Sequence, residues 1–333
     1  MVKLALLSCG HVHTKGYCKA ISERADCELA VVWDDVRERG EKFASETDAA
    51  YSDDLAATVA RDDVQGFIIC AENTRHLPLL EAAVPAGKPV FCEKPFTTTV
   101  ADAAAAMALI RRHEAVVFMG YFQPFTAELR GVATLLADGA LGTVTHARYR
   151  NAHHAAYGRW FDSPDNAWFT DPELAGGGAF MDMGTHAIHA VRTLLGPVER
   201  AWAQIRNVSG EYPKVDDYGI AHLRFESGVM GVVEAAWVQT GGIRGLEITG
   251  SQATLYRDPQ QGYVYAAPRA DPVPVSPGAA RPTRVDRLMA AIHGELSAEE
   301  LAADLAAAVD AVAIIEACYA SSEADGWVDV AKV

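Results

Sequence analysis

The chain has 333 residues, 50% of them apolar and 22% charged, with 29 Lys+Arg against 44 Asp+Glu for a net charge of −15. A mean hydropathy of +0.02 and a pI near 5.1 describe a soluble globular chain and exclude a disordered or fibrous one. Such a negative balance argues against nucleic acid and anionic membranes as partners, since both want basic patches. The length exceeds one comfortable core, so two domains are expected.

Residues 3–8 (KLALLS) are an apolar run closed by Gly10 and read as a buried parallel strand. A helix follows over about 15–24, then a strand at 28–34 (ELAVVWD), a helix at 36–46 and a strand at 66–71 (GFIICA). A helix near 75–86, a strand within 89–95 (PVFCEKP), an alanine-rich helix at 99–114 and a strand at 115–121 complete this half. Strands separated by helices of roughly 10–15 residues are βαβ units, which build a parallel, doubly wound α/β sheet. From residue 122 the pattern turns to long alternating strands at 143–154, 199–208, 218–227, 228–239 and 244–258, with hairpin turns at 226–228 and 250–252. Helices are expected near 123–138 and 178–195, and an aperiodic loop over 259–284. A last helix runs over about 297–321, opened by Ser297 and Glu300 as a capping box. The six cysteines (9, 18, 27, 70, 92 and 318) form no CxxC or zinc-ribbon pattern and fit a reducing compartment. No apolar run reaches about 18 residues, and no secretory leader is legible. The expected location is the cytoplasm.

The first strand-to-helix turn, SCGHVHTKG (8–16), holds one glycine of a G-x-G-x-x-G fingerprint, Gly10; Ser8 and His13 stand at the other two places. A helix N-terminus there still offers N–H groups to a pyrophosphate, which puts Ser8, Gly10, His11 and Val12 on the cofactor side. Asp34 ends the second strand, where a carboxylate can accept both ribose hydroxyls. It favours NAD by repelling a 2′-phosphate, while Arg37 and Arg39 leave NADP open. In CAENTRH (70–76), Ala71, Asn73 and His76 follow the third strand; Asn73 and His76 can meet a cofactor or cap the next helix. Glu93 and Lys94 lie at the carboxyl end of a parallel strand, the edge where ligands bind open α/β sheets.

The densest constellation is AGGGAFMDMGTHAIHAVRTLLG (175–196), with Asp182, His186 and His189 at helical spacing on one face. Four of the eleven histidines (153, 154, 186 and 189) fall within residues 153–189. Two His and one Asp on a helix face can hold a metal or form an acid/base pair with an orienting carboxylate. Tyr157, Trp160 and Trp168 are the aromatics that could stack on a sugar ring.

EKP after the fourth strand, together with GGGAFMDMGTHAIH, resembles the glucose–fructose oxidoreductase / inositol dehydrogenase (Gfo/Idh/MocA) family. A-x-x-N-x-x-H at 70–76, LADGALGTV at 136–144 and LEITGSQATL at 246–255 extend the resemblance over most of the chain. It implies an N-terminal Rossmann domain (1–121) and a C-terminal α+β domain (122–333) with an open, mostly antiparallel sheet. It further implies NAD(P)-dependent oxidation of a sugar or cyclitol hydroxyl, in a homodimer or homotetramer formed through that sheet. By position, Lys94 matches the lysine that assists proton transfer, His186 the acid/base histidine and Asp182 the orienting carboxylate. Asp34 matches the ribose-binding acid, and Gly10, Asn73 and Glu93 cofactor-side positions; Arg39, Ala71 and His76 join that side. The chain departs from the pattern where His11 and His13 crowd the phosphate turn, where His189 replaces an Asp, and at Phe122, Gln123 and Pro124. Substrate contacts are expected from Gln123, His153, Tyr157, Trp168, Asp182 and His189. Two alternatives stay open: a divalent metal held by His153, His154, Asp182, His186 and His189 for hydrolysis, elimination or epimerisation, or a sugar sensor without catalysis.

Overall fold

The structure, a computed structural model, describes residues 1–333. Packing divides the chain into two compact units, each assembled from separate stretches. The first holds residues 1–120, 161–176 and 282–309; the second holds 121–160, 177–281 and 310–333.

The first unit contains six strands: β1 (Val2–Leu7), β2 (Cys27–Trp33), β3 (Ala50–Ser52), β4 (Gly66–Ile69), β5 (Val90–Cys92) and β6 (Val117–Met119). They are all parallel, in the order β3-β2-β1-β4-β5-β6, which is the order of doubly wound dinucleotide-binding sheets. Between them run α1 (Thr14–Ser22), α2 (Arg37–Glu46), α3 (Leu55–Val59), α4 (His76–Ala83) and α5 (Val100–Arg112). Apolar side chains leave both faces of this sheet, which is why its strands read as unbroken hydrophobic runs. On one face Leu4, Leu6, Ile68, Phe91 and Phe118 meet Ile21 and Phe43 from α1 and α2. β3 and α3 were not expected, because AYS and LAATV are too short to show a period.

The remaining helices are α6 (Ala127–Ala137), α7 (Pro172–Ala175), α8 (Thr185–Leu195), α9 (Arg284–Ile292) and α10 (Ala298–Ala324). α9 covers the first sheet with Val285, Leu288 and Met289 and carries a true capping box, Thr283 with Asp286. The box expected at Ser297 is only half made. Ser297 accepts the Glu300 N–H, but the Glu300 carboxylate is taken by Arg287.

The second unit holds a nine-stranded sheet of β7 (Val144–Ala152), β8 (Val198–Arg206), β9 (Tyr218–Phe225), β10 (Met230–Ala236), β11 (Gly245–Gly250), β12 (Thr254–Asp258), β13 (Gly262–Ala266), β14 (Val273–Pro274) and β15 (Val328–Asp329). Its order is β14-β13-β12-β11-β7-β10-β9-β8-β15. Only β7 and β10 pair in parallel; the other neighbours are antiparallel. The stretch 259–284, expected as a loop, supplies β13 and β14. Its Pro and Gly content hides two short strands at the sheet edge, where proline is tolerated. Alternation along β9 and β10 buries Ala221, Leu223, Val233 and Ala235 on one face and leaves the other face partly open. On the covered face Ser321 and Ser322 of α10 accept the Ala203 and Ile205 N–H groups.

Candidate active site

In the first unit the candidate residues begin at the turn from β1 into α1. Ser8, where a fingerprint would have its first glycine, takes a left-handed φ of 67° that a non-glycine residue rarely adopts. Its hydroxyl accepts the Gly10 N–H at 3.2 Å. Gly10 is required sterically, because a Cβ there would sit 2.6 Å from the Glu72 carboxylate. The His11 N–H bonds the Cys70 carbonyl at 2.9 Å, pinning the turn to the end of β4. Trp168 lies over it, its indole N–H donating to the Gly10 carbonyl at 2.8 Å and its ring stacked on Phe169 at 3.9 Å.

Asp34 is wholly buried. One carboxylate oxygen accepts the Cys9 N–H at 2.7 Å and the Arg39 Nε–H at 2.9 Å; the other accepts from the Val36 N–H and an Arg39 amine. Arg39 also reaches Glu72 at 2.8 Å. The Arg39 guanidinium thus closes over the buried Asp34 carboxylate. A cavity of about 270 Å³ opens here, lined by Gly10, His11, Val12, Lys15, Arg39 and Phe43 among others. Two cationic side chains beside a helix N-terminus suit an anionic diphosphate, so the residues present fit a dinucleotide.

At the carboxyl edge of the same sheet, Glu93 and Lys94 follow β5 and are both buried, Lys94 with only 3% exposure. One Glu93 oxygen meets His13 Nδ1 at 3.0 Å and the Tyr17 hydroxyl; the other accepts the Lys94 N–H at 2.9 Å. Burial by itself would push the Glu93 carboxyl up, but the adjacent His13, which also hydrogen-bonds it, and Arg284 outweigh it and hold it well below the usual carboxylate range. Burial and the Glu93 charge push the Tyr17 hydroxyl well up. Tyr17 escaped the sequence reading, although its place four residues after His13 puts both on one face of α1. Asn73 donates to the Ala175 carbonyl at 2.8 Å, while its buried side-chain oxygen has no partner. His76 is corrected from a cofactor contact to a brace. It is fully buried, with Nδ1 donating to the Pro95 carbonyl at 2.6 Å and Nε2 lying 3.3 Å from the Ala71 carbonyl. Desolvation lowers its pKa.

The second unit carries a cluster of its own. Gly178 is a packing device: a Cβ there would collide with the Asp216 carbonyl. The Asp216 carboxylate accepts the Gly178 N–H at 2.9 Å, the Phe180 N–H at 2.7 Å and the Tyr319 hydroxyl at 2.8 Å. Residues Phe180–Gly184 then make a π-turn before α8 begins, a widening often found at functional sites. That extra residue offsets Asp182 from the face of α8 on which His186 and His189 both neighbour Tyr121. Asp182 is half-buried and accepts the Trp237 indole N–H at 3.0 Å. His186 is buried against the Phe122 ring, edge-on at 5.6 Å. His189 is wholly buried and stacked on Tyr121 at 3.9 Å and 3°.

The histidine-rich metal alternative is thereby corrected. His189 is a core residue, His153 lies against Trp160 with ring centroids at 4.9 Å, and these side chains do not gather within ligating reach of Asp182 and His186. The group that does gather is His11, His13 and Glu93. Of the expected substrate contacts, Trp168 belongs instead to the first unit, buried on the dinucleotide turn. Tyr157 is exposed, and the Gln123 side-chain oxygen accepts the Tyr149 hydroxyl at 2.8 Å.

Two family models match the chain. Residues 3–121 match an oxidoreductase family with an NAD-binding Rossmann fold, and residues 129–256 match the GFO/IDH/MocA C-terminal domain. Among curated relatives, a D-xylose 1-dehydrogenase [NADP(+)] of Haloarcula marismortui is 26% identical over 242 residues, covering 71% of this chain and 66% of that one. An inositol 2-dehydrogenase of Rhizobium meliloti is 28% identical over 198 residues, 59% of this chain and 55% of that one. The matched region thus spans less than two thirds of these relatives' length. Among solved structures, the WlbA dehydrogenase of Bordetella pertussis, in complex with NADH and UDP-GlcNAcA, superposes with a TM-score of 0.83 at 20% identity. That match covers 100% of this chain and 99% of that one. No helix is long and apolar enough to cross a membrane.

Proposed function

Since the chain belongs to the Gfo/Idh/MocA family of oxidoreductases, with an NAD-binding Rossmann domain, we propose that it oxidises a hydroxyl group of a sugar, sugar derivative or cyclitol, or reduces the matching ketone. The observation that carries this is Lys94, an ammonium buried to 3% exposure immediately after β5, at the sheet edge where ligands bind. A lysine side chain held at that edge is placed to meet a bound ligand. When bound, the nicotinamide supplies the hydride acceptor. Lys94 holds the reacting hydroxyl and offsets alkoxide charge as its proton leaves. His186 is the acid/base group that takes the proton, and Asp182, fixed by the Trp237 indole, orients the substrate. NAD is the expected dinucleotide, with NADP also accepted through Arg39. Residues 1–121 serve as the nucleotide domain and 122–333 as the substrate and assembly domain, in a cytoplasmic homodimer or homotetramer.

The test is a fluorescence titration with NADH and NADPH, followed by a turnover screen of sugars and inositols. Lys94→Ala and His186→Ala should each lower turnover by about 10²–10⁴-fold and leave NADH affinity within a few-fold. Wild-type-like turnover in both would overturn the assignment.

A further inference from the structure

The proposed chemistry gives His11 and His13, at the dinucleotide turn, no part in proton transfer. We propose that His11, His13 and Glu93 form a binding site for one divalent transition-metal ion of the zinc class. One ligating atom from each lies within 4.8 Å of the other two. A second observation is independent of that clustering. His11 is only 2% exposed, and its Nε2 is a buried nitrogen with no hydrogen-bond partner. Such an orphan is rare in a native interior and calls for an occupant. The other ring nitrogen, Nδ1, faces the His13 N–H at 3.3 Å. Ligation through Nε2 moves the ring proton to Nδ1 and gives up that long contact, while the Cys70 carbonyl still holds the His11 N–H.

The Glu93 side chain is already held in place for ligation. The carboxylate is oriented from outside by the Lys94 N–H and the Tyr17 hydroxyl, the kind of support that ligating carboxylates have. Two imidazoles and one carboxylate make three protein ligands, and the His13 side chain, 38% exposed, leaves a solvent side for a fourth. That set suits zinc and its neighbours, whereas calcium and magnesium want oxygen ligands throughout. Trp168 and Phe169, with ring centroids 6.0 and 6.2 Å from His11, wall off its far side.

The experiment is a calorimetric titration of the metal-stripped full chain with zinc chloride, repeated with cobalt(II) as an absorbing probe. The expected result is one ion per chain with tetrahedral cobalt bands. His13→Ala should weaken binding at least about 100-fold, since even outer partners of ligands carry 10–100-fold effects, while His153→Ala leaves it unchanged. His11 is buried, so His11→Asn is read only if its metal-free melting curve matches wild type; His13→Ala decides the matter otherwise. Binding that survives His13→Ala, or its absence in protein that still binds NADH, overturns the proposal. NADH binding by the metal-free chain tests the proposed function separately.

Discussion

Asp216 is the best place to test how the second unit holds its acid/base residues. Its carboxylate is the acceptor for two backbone N–H groups and the Tyr319 hydroxyl, and its carbonyl accepts the Ala179 N–H at 2.9 Å. Asp216→Ala removes the carboxylate and leaves three donors without it. Hydrogen bonds to a charged group contribute about 1.5–3 kcal/mol each, which sets the ceiling. Burial raises the Asp216 pKa, so the ionised group already costs desolvation energy, and the net loss should be about 3–5 kcal/mol. In a chain of this size that lowers Tm by about 10 °C. Because the clamp lies two residues before Asp182, kcat should fall while NADH affinity, a property of the first unit, stays. Tyr319→Phe removes one bond and should cost about 1 kcal/mol. Calorimetry and steady-state kinetics on the two variants read both effects. An Asp216→Ala protein with Tm within 2 °C of wild type (roughly 1 kcal/mol) and unchanged kcat would refute the clamp.

Arg287, 3% exposed, pairs with the buried Asp304 at 3.1 Å and rests over the Phe118 ring; Arg287→Met removes the guanidinium from a carboxylate that also accepts the Met119 N–H. It should cost about 3–5 kcal/mol in urea unfolding, most of it recovered in the Arg287→Met/Asp304→Leu double variant; a loss under 1 kcal/mol would count against the pair. Arg39→Ala uncovers the Asp34 carboxylate and should raise the preference for NADH over NADPH by about 5–30-fold in fluorescence titrations, whereas an unchanged ratio places the ribose elsewhere. His11 and His76 are held neutral by burial, their pKa values lowered below 6.5. Below the unfolded value the unfolded chain binds protons that the native chain refuses, so stability present above pH 6.5 is lost as pH falls. The slope reaches up to about 1.4 kcal/mol per pH unit for each ring. His76→Gln should remove one share of it in urea titrations at pH 7.5, 6.5 and 5.5; identical slopes in variant and wild type would show that burial does not hold His76 neutral.

The local signals were legible wherever one segment carried its own period. KLALLS, ELAVVWD and GFIICA declared buried parallel strands because both their faces are covered, and the alternation of 218–239 declared a hairpin with one face inside. EKP at the end of β5 and the GGG-x3-D-x-G-x-H segment marked the two clusters of chemistry, since charged residues rarely follow apolar strands without a task. What packing alone decided lies between distant segments. Of the three glycines, Gly178 lets the Asp216 backbone approach, a contact no local pattern announces. His189 is the spacing-correct third member of a metal face, yet packing buries it completely under the Tyr121 ring. Asp34 kept its place at the end of β2, and only the fold showed Arg39 closed over it. His11, His13 and Glu93, up to 82 positions apart in the sequence, meet because β1 and β5 end on the same edge of one sheet. Periodicity reports which face a residue turns inward; it carries no information on which other residue waits there, and that pairing is a property of the tertiary structure.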